Sequence, residues 1–160
     1  MNTCPICNQP VITYNGRSDA PFVGIIEPTK EDEERRVVFS DKSTLGALSS
    51  AFYRHRLSLQ DLIVFYPSSI HTNNDTYGCW LQNFIQFYKS YQRRGIILFG
   101  SLKRDLKLSY PYALTLPKIV LYSVTLEETV ITFPSPNVIF TTPGDLEISI
   151  IRLKEVLQDG

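Results

Sequence analysis

Apolar residues fall along this chain in short dense runs, separated by polar stretches of helical spacing. Phe22-Val23-Gly24-Ile25-Ile26, bounded by Pro21 and Glu27-Pro28, predicts a buried strand. Leu62 to Tyr66, stopped by Pro67, predicts a second, and Ile96 to Phe99 a third. Lys118 to Val124, Val130 to Phe133 and Val138 to Phe140 read as further strands. Between them lie amphipathic segments. A helix capped by Ser43 or Thr44 runs to about Arg56, with Leu45, Leu48 and Phe52 on one face. A second, from about Thr76 to Tyr91, buries Leu81, Phe84, Ile85 and Tyr88, and Arg93-Arg94-Gly95 closes it. Gly100-Ser101 opens a short helix with Leu102 and Leu106. The last helix, about Asp145 to Gln158, aligns Leu146, Ile150, Leu153 and Leu157. Residues 1–20 are irregular, Thr29 to Arg36 reads as a charged loop, and Val37 to Phe39 as a short extended piece.

Strands without polar alternation, interleaved with amphipathic helices, suit a sheet covered on both faces. The expected fold is α/β: a three-layer α/β/α sandwich with a mainly parallel central sheet. Sites on such sheets gather at the carboxyl ends of strands. Those ends are Glu27-Pro28, Tyr66-Pro67, Gly100-Ser101 and the turns near Phe133 or Thr142.

Length changes the picture little: 160 residues fit one domain, 1–160, with 1–20 as an appended tail. The 16 basic residues balance the 16 acidic ones, which excludes a generally basic nucleic-acid coat but not a local patch. No apolar run approaches the ~20 residues of a membrane helix, and the start has no signal-peptide pattern, so a cytoplasmic protein is expected. Three cysteines argue against a disulfide framework, and Cys4-Pro5-Ile6-Cys7 reads as a metal half-site or a redox pair. Neither a dinucleotide-binding glycine motif nor a phosphate-loop motif is present.

The order of these pieces resembles the uracil-DNA glycosylases of the iron–sulfur type, over about residues 4–108. In that family a Cys-x-x-Cys precedes the first core strand, matched by Cys4 and Cys7. The strand then ends in Val-Gly before a Pro-containing acidic loop and a Phe, matched by Val23-Gly24, Glu27-Pro28, Glu31-Asp32 and Phe39. A strand ending in Pro, a polar loop with a helix-start Cys, and a strand ending in Gly follow as Pro67, Cys79 and Gly100. The resemblance implies a glycosylase-like fold and DNA as partner. It matches Cys4, Cys7 and Cys79 to three of the family's four cluster cysteines. The fourth would fall near Phe65 and is absent; His71, in the intervening loop, completes a Cys3His set. That donor set favours structural zinc over an iron–sulfur cluster, and would pin the tail to the Cys79 helix. The alternative is three unligated thiols and a surface histidine.

The resemblance assigns Phe39 to stacking on an extruded base, against a plain core role. Ser101, Lys103 and Arg104 are candidates for docking base or phosphate. Glu27 and Asp61 are the candidate catalytic carboxylates. Asp61 is the nearest match to a uracil-reading Asn, although an ionised Asp cannot donate to a carbonyl. Glu31 and Asp32 read as a solvated charged face, and Arg93-Arg94 as a helix C-terminal complement. The departures are pointed. Ile25 follows Gly24 where the family has Glu, and the late His-Pro-Ser turn is reduced to Phe133-Pro134-Ser135 or Thr142-Pro143-Gly144. Base excision needs an activated water and a group to stabilise the departing anion. The expected function is therefore a glycosylase-like module that has lost excision and serves as a nucleic-acid-binding domain or a subunit of a larger protein assembly. The alternative is an active DNA glycosylase with altered residues. Compactness suggests a virus or mobile element.

Overall fold

The computed structural model describes residues 3–70, 77–100, 115–121, 124–135 and 143–159. Outside these lie His71, Ser101, Lys103 and Arg104, the short helix expected after Gly100, and the strand expected at Val138 to Phe140. In chain order the elements are β1 (Phe22–Ile26), α1 (Lys30–Arg35), α2 (Lys42–Arg54), α3 (Leu59–Leu62), β2 (Ile63–Pro67), α4 (Tyr77–Lys89) and β3 (Gly95–Phe99). Then come β4 (Thr115–Leu116), β5 (Ile119–Leu121), β6 (Val124–Leu126), β7 (Val130–Phe133) and α5 (Pro143–Asp159).

The central sheet has the order β2-β1-β3-β7-β4. The first four strands are parallel and β4 pairs antiparallel at the edge. Every residue of β1, β2, β3 and β7 is buried, as expected of strands covered on both faces. Alternate side chains divide the core in two. Val23, Ile25, Val64, Tyr66, Ile96 and Leu98 pack under α4 through Trp80, Phe84 and Tyr88. Phe22, Ile26, Ile63, Phe65, Ile97 and Phe99 pack under α2 and α5 through Leu48, Phe52, Leu146, Ile150 and Leu153. The molecule is thus a mixed α/β sandwich with helices on both faces of a mainly parallel sheet.

Three local expectations are corrected. The charged stretch from Thr29 is a short helix: Thr29 caps it, and Asp32 returns a hydrogen bond to the Thr29 N–H in a reciprocal capping box. α2 is capped by Asp41, whose carboxylate accepts from the Ser43 N–H, two residues before the nearer of the two expected caps. The run from Lys118 to Val124 is not one strand. β5 and β6 form an antiparallel hairpin of their own, apart from the central sheet.

The segment before β1 is irregular but well anchored. Asn15 and Phe65 exchange two backbone hydrogen bonds of 2.9 and 2.8 Å, so the tail lies along the outer edge of β2. Thr13 bridges Val37, and the Ile12 N–H donates to the Ile70 carbonyl. Arg93 completes the anchorage. Its guanidinium donates to the Ser18 and Ala20 carbonyls at 2.6 and 2.7 Å and to those of Tyr88 and Phe87 at the end of α4. It also lies over the Phe87 and Tyr91 rings.

Candidate metal centre

The Cys4-Pro5-Ile6-Cys7 stretch folds as a tight knuckle. The Asn8 N–H closes back on the Cys4 carbonyl and the Cys4 N–H reaches the Gln9 carbonyl, both at 2.8 Å. Asn8 takes the left-handed conformation, φ 63°, which an Asn tolerates because its short polar side chain bonds locally. This turn presents two sulfurs on one side. α4 supplies the third, since Cys79 stands in its first turn. The three Sγ atoms lie within 4.8 Å of one another. Cys4 and Cys79 are buried and Cys7 is exposed, and all three are thiols rather than disulfides. These three sulfurs form a group able to hold a metal ion.

The surroundings favour a charged sulfur at Cys4. Burial raises the Cys4 pKa, but the backbone N–H groups of Cys7 and Ile6 and the Asn83 amide outweigh it and bring it down to about 6. Cys7 moves the other way: a backbone hydrogen bond involving Gln9 lowers it, while desolvation and the Cys4 and Cys79 sulfurs beside it raise it further. Asn83, one turn after Cys79, ties the two halves together. Its amide donates to the Cys79 carbonyl at 2.7 Å and to Cys4 Sγ at 3.5 Å. Trp80, next to Cys79, is fully buried and donates its indole N–H to the Pro67 carbonyl at 2.7 Å. α4 is thereby fixed to the end of β2 immediately beside the sulfurs. His71, expected as the fourth ligand, lies outside the described residues.

The second candidate region is the carboxyl end of the sheet. β1 connects to β2 on one side and β3 to β7 on the other, so the order reverses between β1 and β3. In open α/β sheets that reversal leaves a crevice for ligands. Glu27, directly after β1, is exposed there. Gly100, directly after β3, has φ +79°, donates its N–H to the Phe133 carbonyl, and would crowd Ser135 with any side chain. Asp61 is elsewhere. It precedes β2, at the amino end of the sheet, where Arg17 Nη1 lies 3.0 Å from its carboxylate. The register sets Phe22 beside Ile63 and Ile26 beside Pro67, so Asp61 and Glu27 sit at opposite ends of five-residue strands. At about 3.3 Å per residue the strand alone separates them by more than about 15 Å. The structure does not bring these two carboxylates together.

Phe39 lies in the core. Only 5% of it is exposed, and its ring meets Phe65 edge-on at 4.8 Å. Phe65 in turn touches Phe99, and Phe99 touches Phe133, a run of rings across β2, β3 and β7. Gly24 of β1 makes room for it, since a Cβ there would come within 2.7 Å of Phe99. Phe39 also has φ 54°, a conformation bulky residues rarely adopt. Two side chains hold it. The Asp32 carboxylate accepts the Phe39 N–H at 2.9 Å, and the Asn15 amide donates to the Val38 and Phe39 carbonyls at 3.1 Å each.

Asp32 overturns its expected role as part of a solvated face. It is 2% exposed, and its two oxygens accept from the N–H groups of Thr29, Phe39 and Ser40 and from the Ser40 hydroxyl. Burial opposes its ionisation, but the Ser40 hydroxyl and the three N–H groups outweigh it and hold the carboxyl below its usual range. Arg93 closes the end of α4 as expected, through the Phe87 and Tyr88 carbonyls, but its grip on Ser18 and Ala20 was not foreseen, nor was Asn15, because those partners are distant in sequence.

No family profile matches this chain, and no curated protein matches it significantly. Among the described residues no helix is long and apolar enough to cross a membrane.

Proposed function

We propose that this chain is a glycosylase-like domain stabilised by a structural zinc ion, acting as a nucleic-acid-binding or assembly module rather than as a base-excising enzyme. The observation that carries the functional part is the state of Phe39. The ring that the resemblance assigns to base stacking is packed against Phe65, and its backbone is clamped by Asp32 and Asn15. Asp32 has both oxygens engaged, so it is not poised to activate water. The balanced charge leaves little counterion-release affinity, so DNA binding through a local patch would be weak and strongly salt-dependent. Three reduced thiols suit the cytoplasm.

A single ion rather than a four-iron cluster is supported by sulfur spacing, and zinc by the Cys3His donor set. Two sulfurs on one tetrahedral zinc, each about 2.3 Å from it, lie ~3.8 Å apart. Terminal thiolates on a cubane four-iron cluster sit on separate irons, roughly 6 Å apart. The observed limit of 4.8 Å fits one ion. Elemental analysis of purified protein should find zinc, whereas the broad visible absorption of an iron–sulfur cluster would overturn that assignment.

The test of function is abasic-site formation on single- and double-stranded DNA carrying uracil, hypoxanthine, xanthine or a hydroxymethylated pyrimidine. No alkali-labile sites are expected with any of them, and strand scission would overturn the reading. Fluorescence anisotropy on the same DNA, at low and high salt, then separates the DNA-binding version from the assembly version. The active-glycosylase alternative rests on Glu27, exposed beside the β1–β3 crevice. On that reading Glu27→Gln abolishes base release while Asp61→Asn, at the far end of the sheet, leaves it unchanged.

A further inference from the structure

The three sulfurs of the metal centre differ in access, and the tail that carries two of them is held in two independent ways. Cys7 is exposed, whereas Cys4 and Cys79 are buried. Residues 12–20 keep their own anchors: the bridges to Val37 and Phe65, the Ile70 carbonyl, and the Arg93 clamp on Ser18 and Ala20. The knuckle at residues 3–10 is instead closed mainly upon itself, through the Cys4–Gln9 and Asn8–Cys4 backbone bonds and the Thr3–Pro10 bridge. It faces α4 through Cys4, Asn83 and Cys79.

We propose that Cys7 is the entry point for a peroxide-driven oxidation that joins Cys4 to Cys7, expels the metal and leaves Cys79 as a thiol. The proposal rests on the metal reading above. Cys7 is the sulfur an oxidant in solution meets first. The turn closed by Asn8 already holds Cys4 and Cys7 together on one short segment, which suits a disulfide between them. Chemically, the Cys7 sulfur attacks one peroxide oxygen, the O–O bond breaks, and hydroxide leaves to take a proton as water. The Cys4 sulfur then attacks the Cys7 sulfur, and the second oxygen leaves as water with another proton. Two thiolates, one hydrogen peroxide and two protons become one disulfide and two waters. The ion, left with Cys79 of these three sulfurs, is released as Zn2+. The consequence is local: the knuckle detaches from α4 while residues 12–20 stay docked.

The experiment uses zinc-loaded wild-type chain, its metal content measured first. Hydrogen peroxide is added in the presence of a chromogenic zinc chelator, and differential alkylation with peptide mass mapping follows. Expected is zinc release in step with the loss of two thiols, a Cys4–Cys7 disulfide within one tryptic peptide, and Cys79 still alkylatable. Zinc retained while Cys7 is oxidised overturns the proposal. So does a disulfide containing Cys79, or three intact thiols under excess peroxide. Those outcomes leave the metal reading standing, whereas a chain that carries no metal before peroxide overturns both.

Discussion

Asp32 does at residue scale what no run of hydrophobic positions can announce. One carboxylate caps α1, fixes the backbone of Phe39 and Ser40, and is buried while doing so. Removing it leaves buried N–H donors without an acceptor, at about 1–3 kcal/mol for each group left unpaired. Asp32→Ala is expected to destabilise the fold by at least ~3 kcal/mol at neutral pH, read as a lowered urea midpoint. The pH dependence has a definite sign. Because the folded pKa is depressed, the stabilisation is full above the unfolded value of about 3.9 and is lost as pH falls through the folded value. The gap between wild type and variant should therefore narrow below about pH 4. An equal gap at pH 7 and pH 3 would refute this account. Gly24 makes a second residue-scale case. A methyl group there meets the Phe99 ring at 2.7 Å and Ile63 at 3.0 Å, in the centre of the sheet. Gly24→Ala should cost about 1–3 kcal/mol through overpacking, measured by the same denaturation. The sequence showed Gly24 as an interruption in an apolar run, but not the ring that fills its space.

At the scale of elements, legibility followed burial. β1, β2 and β3 were readable because strands covered on both faces must be apolar throughout, and α2, α4 and α5 because each carries one apolar stripe. α1 was not, since its stability comes from the Thr29–Asp32 box and first-turn acids rather than from an apolar face. The division into β5 and β6 was missed for a related reason: Val120 is exposed and the run carries no glycine or proline to mark a break. The metal-centre half-site was legible as Cys-x-x-Cys, and its approach to Cys79 is now visible; Asn83 was hidden because nothing in its type marks a partner on another element. Two predictions belong here. With an ion at the three sulfurs as proposed, its removal by a chelator should speed amide exchange in residues 3–10 and leave residues 12–20 protected. Arg93→Ala should do the reverse, loosening Ser18 to Ala20, with a stability loss of about 1–3 kcal/mol from four carbonyls losing a charged donor. Uniform exchange across residues 3–20 in both cases would contradict the two-part anchorage.

At the scale of the molecule, the tail serves as a cover. β2 is the outermost strand on its side of the central sheet, and the Asn15–Phe65 pairing occupies the edge it would otherwise present. An uncovered edge is a template for pairing with another chain. A variant lacking residues 1–20 is expected to self-associate, seen by light scattering as a concentration-dependent mass that the whole chain, measured alongside, is expected not to show. A monodisperse truncated monomer would show that the tail is dispensable for this purpose. The layered α/β arrangement was legible in advance because it follows from the alternation of apolar strands and one-faced helices. The point where the strand order reverses was only half legible: strand ends can be read from sequence, but the order β2-β1-β3-β7 that places Glu27 beside Gly100 cannot.

The chain's single tryptophan is Trp80, sealed from solvent, stacked 5.1 Å from Phe84, and one residue from Cys79. Its indole is bonded to the end of β2. The protein therefore carries its own fluorophore where α4, the sheet and the sulfur cluster converge. Excited at the indole band, it should emit at short wavelength in the folded state. Titrating metal into or out of the neighbouring thiols then becomes an optical experiment on unlabelled protein, with a single indole to follow once excitation is set beyond the absorption of the nine tyrosines.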